Sequence, residues 1–205
     1  MVRGRFAPRR CAPAAVCPGD DGVPYHAGVP FDDRPQRVLV AYASKGGSTA
    51  EIAHAIGGAL LEAGLDIDVL PVRHVHSLDG YSAVILGSAI YHGTWQPDAF
   101  KFLRHRREQL RRLPVWLFDS GPLDRSAEHR LLMLPAGVAD LATTIGVRGH
   151  VTFGGRLGGT GLSMAERMLI IEGRGGDYRN FDDIRAWATN VAFDLLENAG
   201  RDRAG

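Results

Sequence analysis

The stretch VLVAYASKGGSTAEIAHAIGGAL, residues Val38–Leu60, decides the fold. Its first part, Val38-Leu39-Val40-Ala41-Tyr42, is an apolar run of the kind that forms a buried strand. The run breaks into a small, hydroxyl-rich loop, Ser44-Lys45-Gly46-Gly47-Ser48-Thr49. From Thr49 onward the apolar residues Ile52, Ala53, Ile56, Ala59 and Leu60 recur at helical spacing. Strand, tight loop and helix start form a geometry in which backbone N–H groups and the helix dipole converge on an anion. Glycines let the backbone come close, and hydroxyls donate to oxygen, so the composition suits a phosphate.

Two common phosphate loops do not match. A P-loop places its lysine after the second glycine, whereas Lys45 precedes both Gly46 and Gly47. A dinucleotide fingerprint needs three spaced glycines, and only the pair Gly46-Gly47 is present. The segment resembles the phosphate loop of flavodoxin-type FMN proteins, Thr/Ser-x-Thr-Gly-x-Thr followed by x-x-Ile-Ala. Ser44, Gly47, Thr49, Ile52 and Ala53 match it, while Gly46 replaces the middle threonine and removes one hydroxyl. An ordinary Gly/Ser turn between strand and helix is the alternative on this segment alone.

The surrounding chain narrows the choice. With 205 residues and 45% hydrophobic content it can bury one sizeable core. No apolar stretch approaches the roughly 18 residues of a membrane span. A formal net charge of +1 gives no bulk attraction to nucleic acid, which is not an expected partner. Arginine outnumbers lysine, a mark of base composition rather than of function. Both cysteines, Cys11 and Cys17, fall in the first 35 residues, which are rich in Pro, Gly, Arg and Ala and read as a disordered leader. The expected core therefore has no disulfide framework or zinc set, which points to a reducing, cytoplasmic compartment. Arg9-Arg10 raises the thought of a twin-arginine signal, but the apolar region after it is too short.

The domain proper is expected over 36–200. Strands are read at Val38–Ala43, Asp66–Val72, Ala83–Gly87, Pro114–Phe118 and Gly149–Phe153. The second alternates in polarity and so belongs near an edge. Helices are read at Thr49–Gly64, stopped by Gly64, at Pro97–Leu113, and at Phe181–Asn198. Repeated strand–helix units imply right-handed crossovers and an α/β fold. The expected architecture is a flavodoxin-like, three-layer, doubly wound sandwich with a five-stranded parallel sheet in the order 2-1-3-4-5.

In such a sheet the ligand lies beyond the carboxyl ends of the strands, where strand order reverses, here between strands one and three. Three loops should then share one site. The first is Ser44-Lys45-Gly46-Gly47-Ser48-Thr49. The second is Ser88-Ala89-Ile90-Tyr91-His92-Gly93, continuing to Thr94 and Trp95. The third begins at Asp119 and continues through Ser120-Gly121-Pro122-Leu123 to Asp124. By resemblance, the first would hold the FMN phosphate and the other two would frame the flavin ring. Tyr91 and Trp95 can cover a flat ring or simply pack the loop base. His92 can bond the ring or donate a proton, or be an exposed histidine with no role. Lys45 can add charge to the phosphate site or stay solvated. Because the flavin performs the chemistry, no catalytic protein residue is required, and His92 is the single candidate named. His74 and His76 have metal-like spacing but no companion ligand, so they read as a surface turn and no metal is expected. Glu166-Arg167 and Asp182-Asp183 read as helix-terminal and surface charges.

From Arg37 to Leu196 the chain resembles flavodoxin-domain proteins, in particular the menaquinone-dependent protoporphyrinogen oxidases and their actinobacterial homologues. The matching pieces are GSAIYHGTW (Gly87–Trp95), IGVRGHVTFGGRL (Ile145–Leu157), ERMLI (Glu166–Ile170) and GDYRNFDDIRAWA (Gly176–Ala188). The family carries an insertion between the last strand and last helix, here 154–180, that plain electron carriers lack. The resemblance implies noncovalent FMN and electron transfer from an organic, protoporphyrinogen-like donor to a quinone. An electron shuttle between protein partners is the alternative, and a degenerate member with weak flavin affinity is a third. Carrier flavodoxins are strongly acidic, and this chain is not. Its basic helix, Arg104 to Arg112, can meet an anionic membrane surface on the cytoplasmic side or an acidic partner, or be a solvated face.

Overall fold

Apolar runs that alternate with amphipathic segments leave each strand nothing to do but pair with its neighbours and bury both faces. In the computed structural model, which describes residues 37–121, 133–158, 164–173 and 175–201, they do so within one compact unit spanning 34–205. The leader expected over 1–35 lies outside the described residues. The main strands are β1 (Arg37–Ala43), β2 (Asp66–Pro71), β3 (Ala83–Tyr91), β5 (Val115–Ser120) and β6 (Gly149–Phe153). They are all parallel, in the order β2-β1-β3-β5-β6, which is the expected 2-1-3-4-5 arrangement with a short extra strand, β4 (Thr94–Trp95), hung on β3. The half-buried β2 is at an edge, as its alternating sequence predicts.

The period of two along a strand divides the core into two halves. Val38 and Val40 of β1, with Ile85, Trp116 and Phe118, face α1 (Ser48–Glu62) and α6 (Phe181–Arg201). Leu39 and Ala41, with Val84, Leu86, Val115 and Leu117, face α2 (Pro97–His105), α3 (Arg107–Leu110) and α4 (Ala136–Ile145). Ile52, Ile56 and Leu60 of α1 and Ile184 of α6 are all fully buried; each such side chain is worth about 1.5–3 kcal/mol relative to exposure. The first helix ends as Gly64 predicts: at φ 90°, Gly64 donates to Leu61 O, and Leu65 donates to Leu60 O, a Schellman stop. Asn180 caps α6 by accepting from the N–H groups of Asp182 and Asp183, which puts those two acids at a helix N-terminus as read.

Four sequence expectations are corrected. Strand three does not stop at Gly87: it keeps its ladder to β1 through Ser88 and to β5 through Ala89 before reaching Tyr91. The expected loop 88–95 is a hairpin, with Ile90 opposite Trp95 and Tyr91 opposite Thr94. Its two turn residues, His92 (φ 49°) and Gly93 (φ 73°), both take the left-handed conformation that such a two-residue turn requires. Likewise β5 runs on through Asp119 and Ser120, both buried strand residues rather than loop. The helix read over Pro97–Leu113 is broken at Arg106, so the Arg104–Arg112 basic helix does not exist as one element. Arg106 leaves helical geometry (φ −97°, ψ 8°), and its guanidinium reaches His76 O at 2.6 Å. Finally, α4 was not legible, because its run AGVADLATTI is short and nearly uniformly apolar or small.

Between β6 and α6 the chain forms an arm. It comprises β7 (Arg156–Leu157), α5 (Met164–Ile171) and β8 (Gly176–Asp177), with β7 and β8 paired antiparallel. Glu166 and Arg167 lie in the first turn of α5, a helix-terminal position as read.

Candidate functional site

Gly47 is the residue on which the β1–α1 loop turns. It caps α1 in the left-handed region at φ 84°, and its own N–H is satisfied by Ser44 Oγ at 3.0 Å. Glu51 N is the first helical donor to find its partner, Gly47 O. The N–H groups of Ser48, Thr49 and Ala50 therefore have no acceptor among the described residues, and no side chain caps them. Thr49 is fully buried, and its Oγ1 has no hydrogen-bond partner among the described residues. A buried hydroxyl left unsatisfied costs about 1–3 kcal/mol, and this one stands at the head of a 15-residue helix. Three open N–H donors, a helix N-terminus and an orphaned hydroxyl are groups with which an anion can pair.

The other two strand ends meet this loop. Ser48 Oγ and Ser120 Oγ are 3.4 Å apart and buried, tying the α1 start to the end of β5. The Lys45 ammonium lies 5.4 Å from the centre of the Tyr91 ring, and the Tyr91 hydroxyl approaches Gly46. Gly121 donates to Phe153 O at 3.1 Å and leaves room for Ile90 and Thr152 beside it. His92 and Gly93 are exposed at the hairpin tip. Ser88 is buried instead, accepting from Gln96 N and donating to Ala89 O, and Ala89 is buried beside it. So the structure brings Ser44–Thr49, Ile90, Tyr91, Ser120 and Gly121 together at one sheet edge. Pro122 and Leu123 lie outside the described residues. A cleft of about 260 Å3 opens beside the loop on the β2 side, walled by Ser44, Lys45, Gly47, Arg73, Gln96 and Asp98. It is not the space between the hairpin and the end of β5, where sequence reasoning expects the ring.

Two groups of charged residues were missed in the sequence. Asp119, fully buried in β5, accepts from Trp95 Nε1 (2.5 Å) and Thr152 Oγ1 (3.3 Å) and pairs with His150 Nε2 (2.7 Å). Trp95 is thereby a packing residue that holds the base of the hairpin. The second group joins the arm to α1. Glu51 is bound by Arg156 at 2.6 Å and Arg179 at 2.8 Å, and Arg179 also holds Asp177 at 2.6 Å. Burial works to raise the Glu51 pKa, but the hydrogen bonds and charges of the two arginines outweigh it and hold the group below its ordinary value. The Arg179 hydrogen bond likewise lowers Asp177, against the opposing effect of burial. Neither group has a local sequence signal: the partners are separated by up to 128 residues. His74 and His76 sit at a surface turn, His74 closing a short 3-10 stretch.

The geometry agrees with the comparisons. The family model described as a flavodoxin domain matches residues 39–174, well over half of the chain. Among curated proteins, the protoporphyrinogen IX dehydrogenase (quinone) of Escherichia coli strain K12 is 24% identical over 96 residues, 46% of this chain and 53% of the relative. The chain thus spans about half the length of the curated relatives it matches. Among solved structures, a flavodoxin mutant from Pseudomonas aeruginosa superposes with a TM-score of 0.52 at 20% identity, over 78% of this chain and 99% of that one. The rubredoxin oxygen:oxidoreductase of Desulfovibrio gigas superposes with a TM-score of 0.55 at 14% identity, covering 79% of this chain and 36% of the other. At these identities the structures speak for the fold alone. The match of the family model over the Ser44–Thr49 loop and all five strands of the parallel sheet carries the assignment: this chain belongs to the flavodoxin domain family, whose cofactor is a noncovalently held FMN.

Proposed function

We propose that this protein is an FMN-dependent oxidoreductase that passes electrons from an organic donor of the protoporphyrinogen type to a quinone. The residues suit the cofactor on physical grounds: the phosphate would satisfy the orphaned Thr49 hydroxyl and the open N–H groups of Ser48, Thr49 and Ala50. Tyr91, Ile90, Ser120 and Gly121 would flank the ring, with His92 and Gly93 at the hairpin tip. When bound, FMN supplies one- or two-electron transfer through its ring, and the protein's part is to orient that ring and control access to it.

One observation carries the choice of an enzyme over a carrier. The arm holds α5, whose Met164, Met168, Ile170 and Ile171 are all exposed, and ion pairs fasten that arm to the first turn of the phosphate-loop helix. Apolar, flexible side chains tethered to the cofactor loop suit a flat organic molecule, and Met in particular adapts to aromatic surfaces. A net charge of +1 adds support, since the chain lacks the bulk acidity of carrier flavodoxins. The exposed Arg104, Arg111 and Arg112 support contact with an anionic lipid surface, where quinones reside, although they are not on one helix. No helix of the described residues is long and apolar enough to cross a membrane.

The test is steady-state turnover of purified, FMN-loaded protein with protoporphyrinogen IX and a menaquinone analogue. Catalytic turnover by these components alone is expected. Electron flow only after adding a reductase and an acceptor protein would assign the shuttle instead, and purification without flavin, with no uptake of added FMN, would remove the cofactor.

A further inference from the structure

Arg156 stands on β7 of the arm, 105 residues from Glu51, yet its guanidinium overhangs the phosphate loop. Its Nη2 lies 3.9 Å from the point where a Cβ on Gly47 would stand. The two arginines that hold Glu51 differ in what they have left to give. The Arg179 side chain is 2% exposed and spends its donors on Glu51 and Asp177 through Nη1, Nε and Nη2. Arg156 is 32% exposed and donates one hydrogen from each Nη to Glu51, at 3.2 and 2.6 Å. Its Nε–H and the second hydrogen on each Nη have no acceptor among the described residues. These free donors belong to a planar, permanently charged group that binds phosphate through more than one hydrogen bond. The loop's own cation, Lys45, is turned toward the Tyr91 ring instead.

The same loop, at the start of α1, also carries the open N–H groups and the buried, unpartnered Thr49 hydroxyl. We propose that Arg156 is a direct ligand of the FMN phosphate, brought to the loop by the arm and held there by Glu51 and Arg179. The arm thereby makes the pocket selective for the phosphorylated flavin. In this arrangement Glu51 and Arg179 are positioning residues, and Glu51 orients the guanidinium while leaving three of its donors open.

The inference rests on FMN as the cofactor, and the test separates the two. The full chain, stripped of flavin, is titrated with FMN and with riboflavin, which lacks only the phosphate, and quenching of flavin fluorescence is read. Wild type should prefer FMN. Arg156→Gln should weaken FMN about 10- to 100-fold, the range of a charge-assisted hydrogen bond, and leave riboflavin within about twofold. Arg156→Lys should recover part of the loss, because it restores the charge without the fork. An Arg156→Gln variant that binds FMN as wild type does, or that loses FMN and riboflavin equally, overturns the phosphate role while the cofactor stands. A wild type that takes up neither ligand overturns the cofactor and the inference together.

Discussion

The indole Nε1 of Trp95 donates to Oδ1 of Asp119 at 2.5 Å, deep between the hairpin and β5. The same carboxylate collects His150 and Thr152 from β6, so one buried charge ties three strand ends beneath the expected ring position. Asp119→Ala would leave the Trp95 N–H and the Thr152 hydroxyl buried without an acceptor. It should cost about 2–4 kcal/mol in urea unfolding of the flavin-free protein, against about 1 kcal/mol for Thr152→Val. Equal, small effects of both would show that the cluster is not a structural node.

Thr49→Val removes the orphaned hydroxyl while keeping the shape of the side chain. The flavin-free protein should be unchanged or slightly more stable, because the substitution deletes an unmet polar group. FMN affinity should fall about 5- to 30-fold, equivalent to one lost hydrogen bond to a charged oxygen. Calorimetry read together with flavin titration checks the opposite signs.

Gly87 lies in β3 directly under the Phe118 ring, and a Cβ there would overlap the ring itself. Gly87→Ala should cost about 1–3 kcal/mol through overpacking, seen as a lower melting temperature. Gly58, exposed on α1 with open space around it, gives the control: Gly58→Ala should stabilise by about 0.5–1 kcal/mol through helix propensity.

Acid should release the arm. Glu51 and Asp177 have folded pKa values below their ordinary ones, so the unfolded chain binds more protons and stability rises with pH. Their contribution is complete above the ordinary carboxylate range, about pH 4–5, and is lost as pH falls through the depressed values. Both groups are nearly half exposed, so the effect should be modest and weaken in salt. Hydrogen-exchange protection at residues 156–158 and 175–177 should fall below about pH 4 in wild type, and Glu51→Gln should lower that protection already at neutral pH.

The alkaline limb belongs to Tyr81. Burial, and then its hydrogen bond to Asp68, push its phenol up to about 12. A raised folded pKa means that the contribution is complete below about pH 10, the ordinary tyrosine value, and fades as pH climbs toward 12. Melting temperature recorded from pH 9 to 12 should fall more steeply in wild type than in Tyr81→Phe.

The strand, loop and helix around Ser44–Thr49 were legible because their cause is local: an apolar strand, two glycines and a helical period are adjacent in the chain. The extents of β3 and β5 were not. Ser88, Asp119 and Ser120 are polar, and polar residues at a strand end read as loop until a ladder and buried partners satisfy them. Arg106 interrupts a helix that its own sequence favours, and its side chain is bonded to the carbonyl of His76, 30 residues earlier.

The residues alone determined the strand–loop–helix at Val38–Leu60, the doubly wound sheet and its strand order, since periodicity and crossover handedness act over short distances and allow few arrangements. Only the tertiary structure decided which charges reach the site. Asp119 meets Trp95 and His150, and Arg156 meets Glu51 above Gly47, through pairings that no local pattern encodes. Burial and ion pairing depend on where the sheet edge and the arm bring distant residues together. Those are properties of the folded chain.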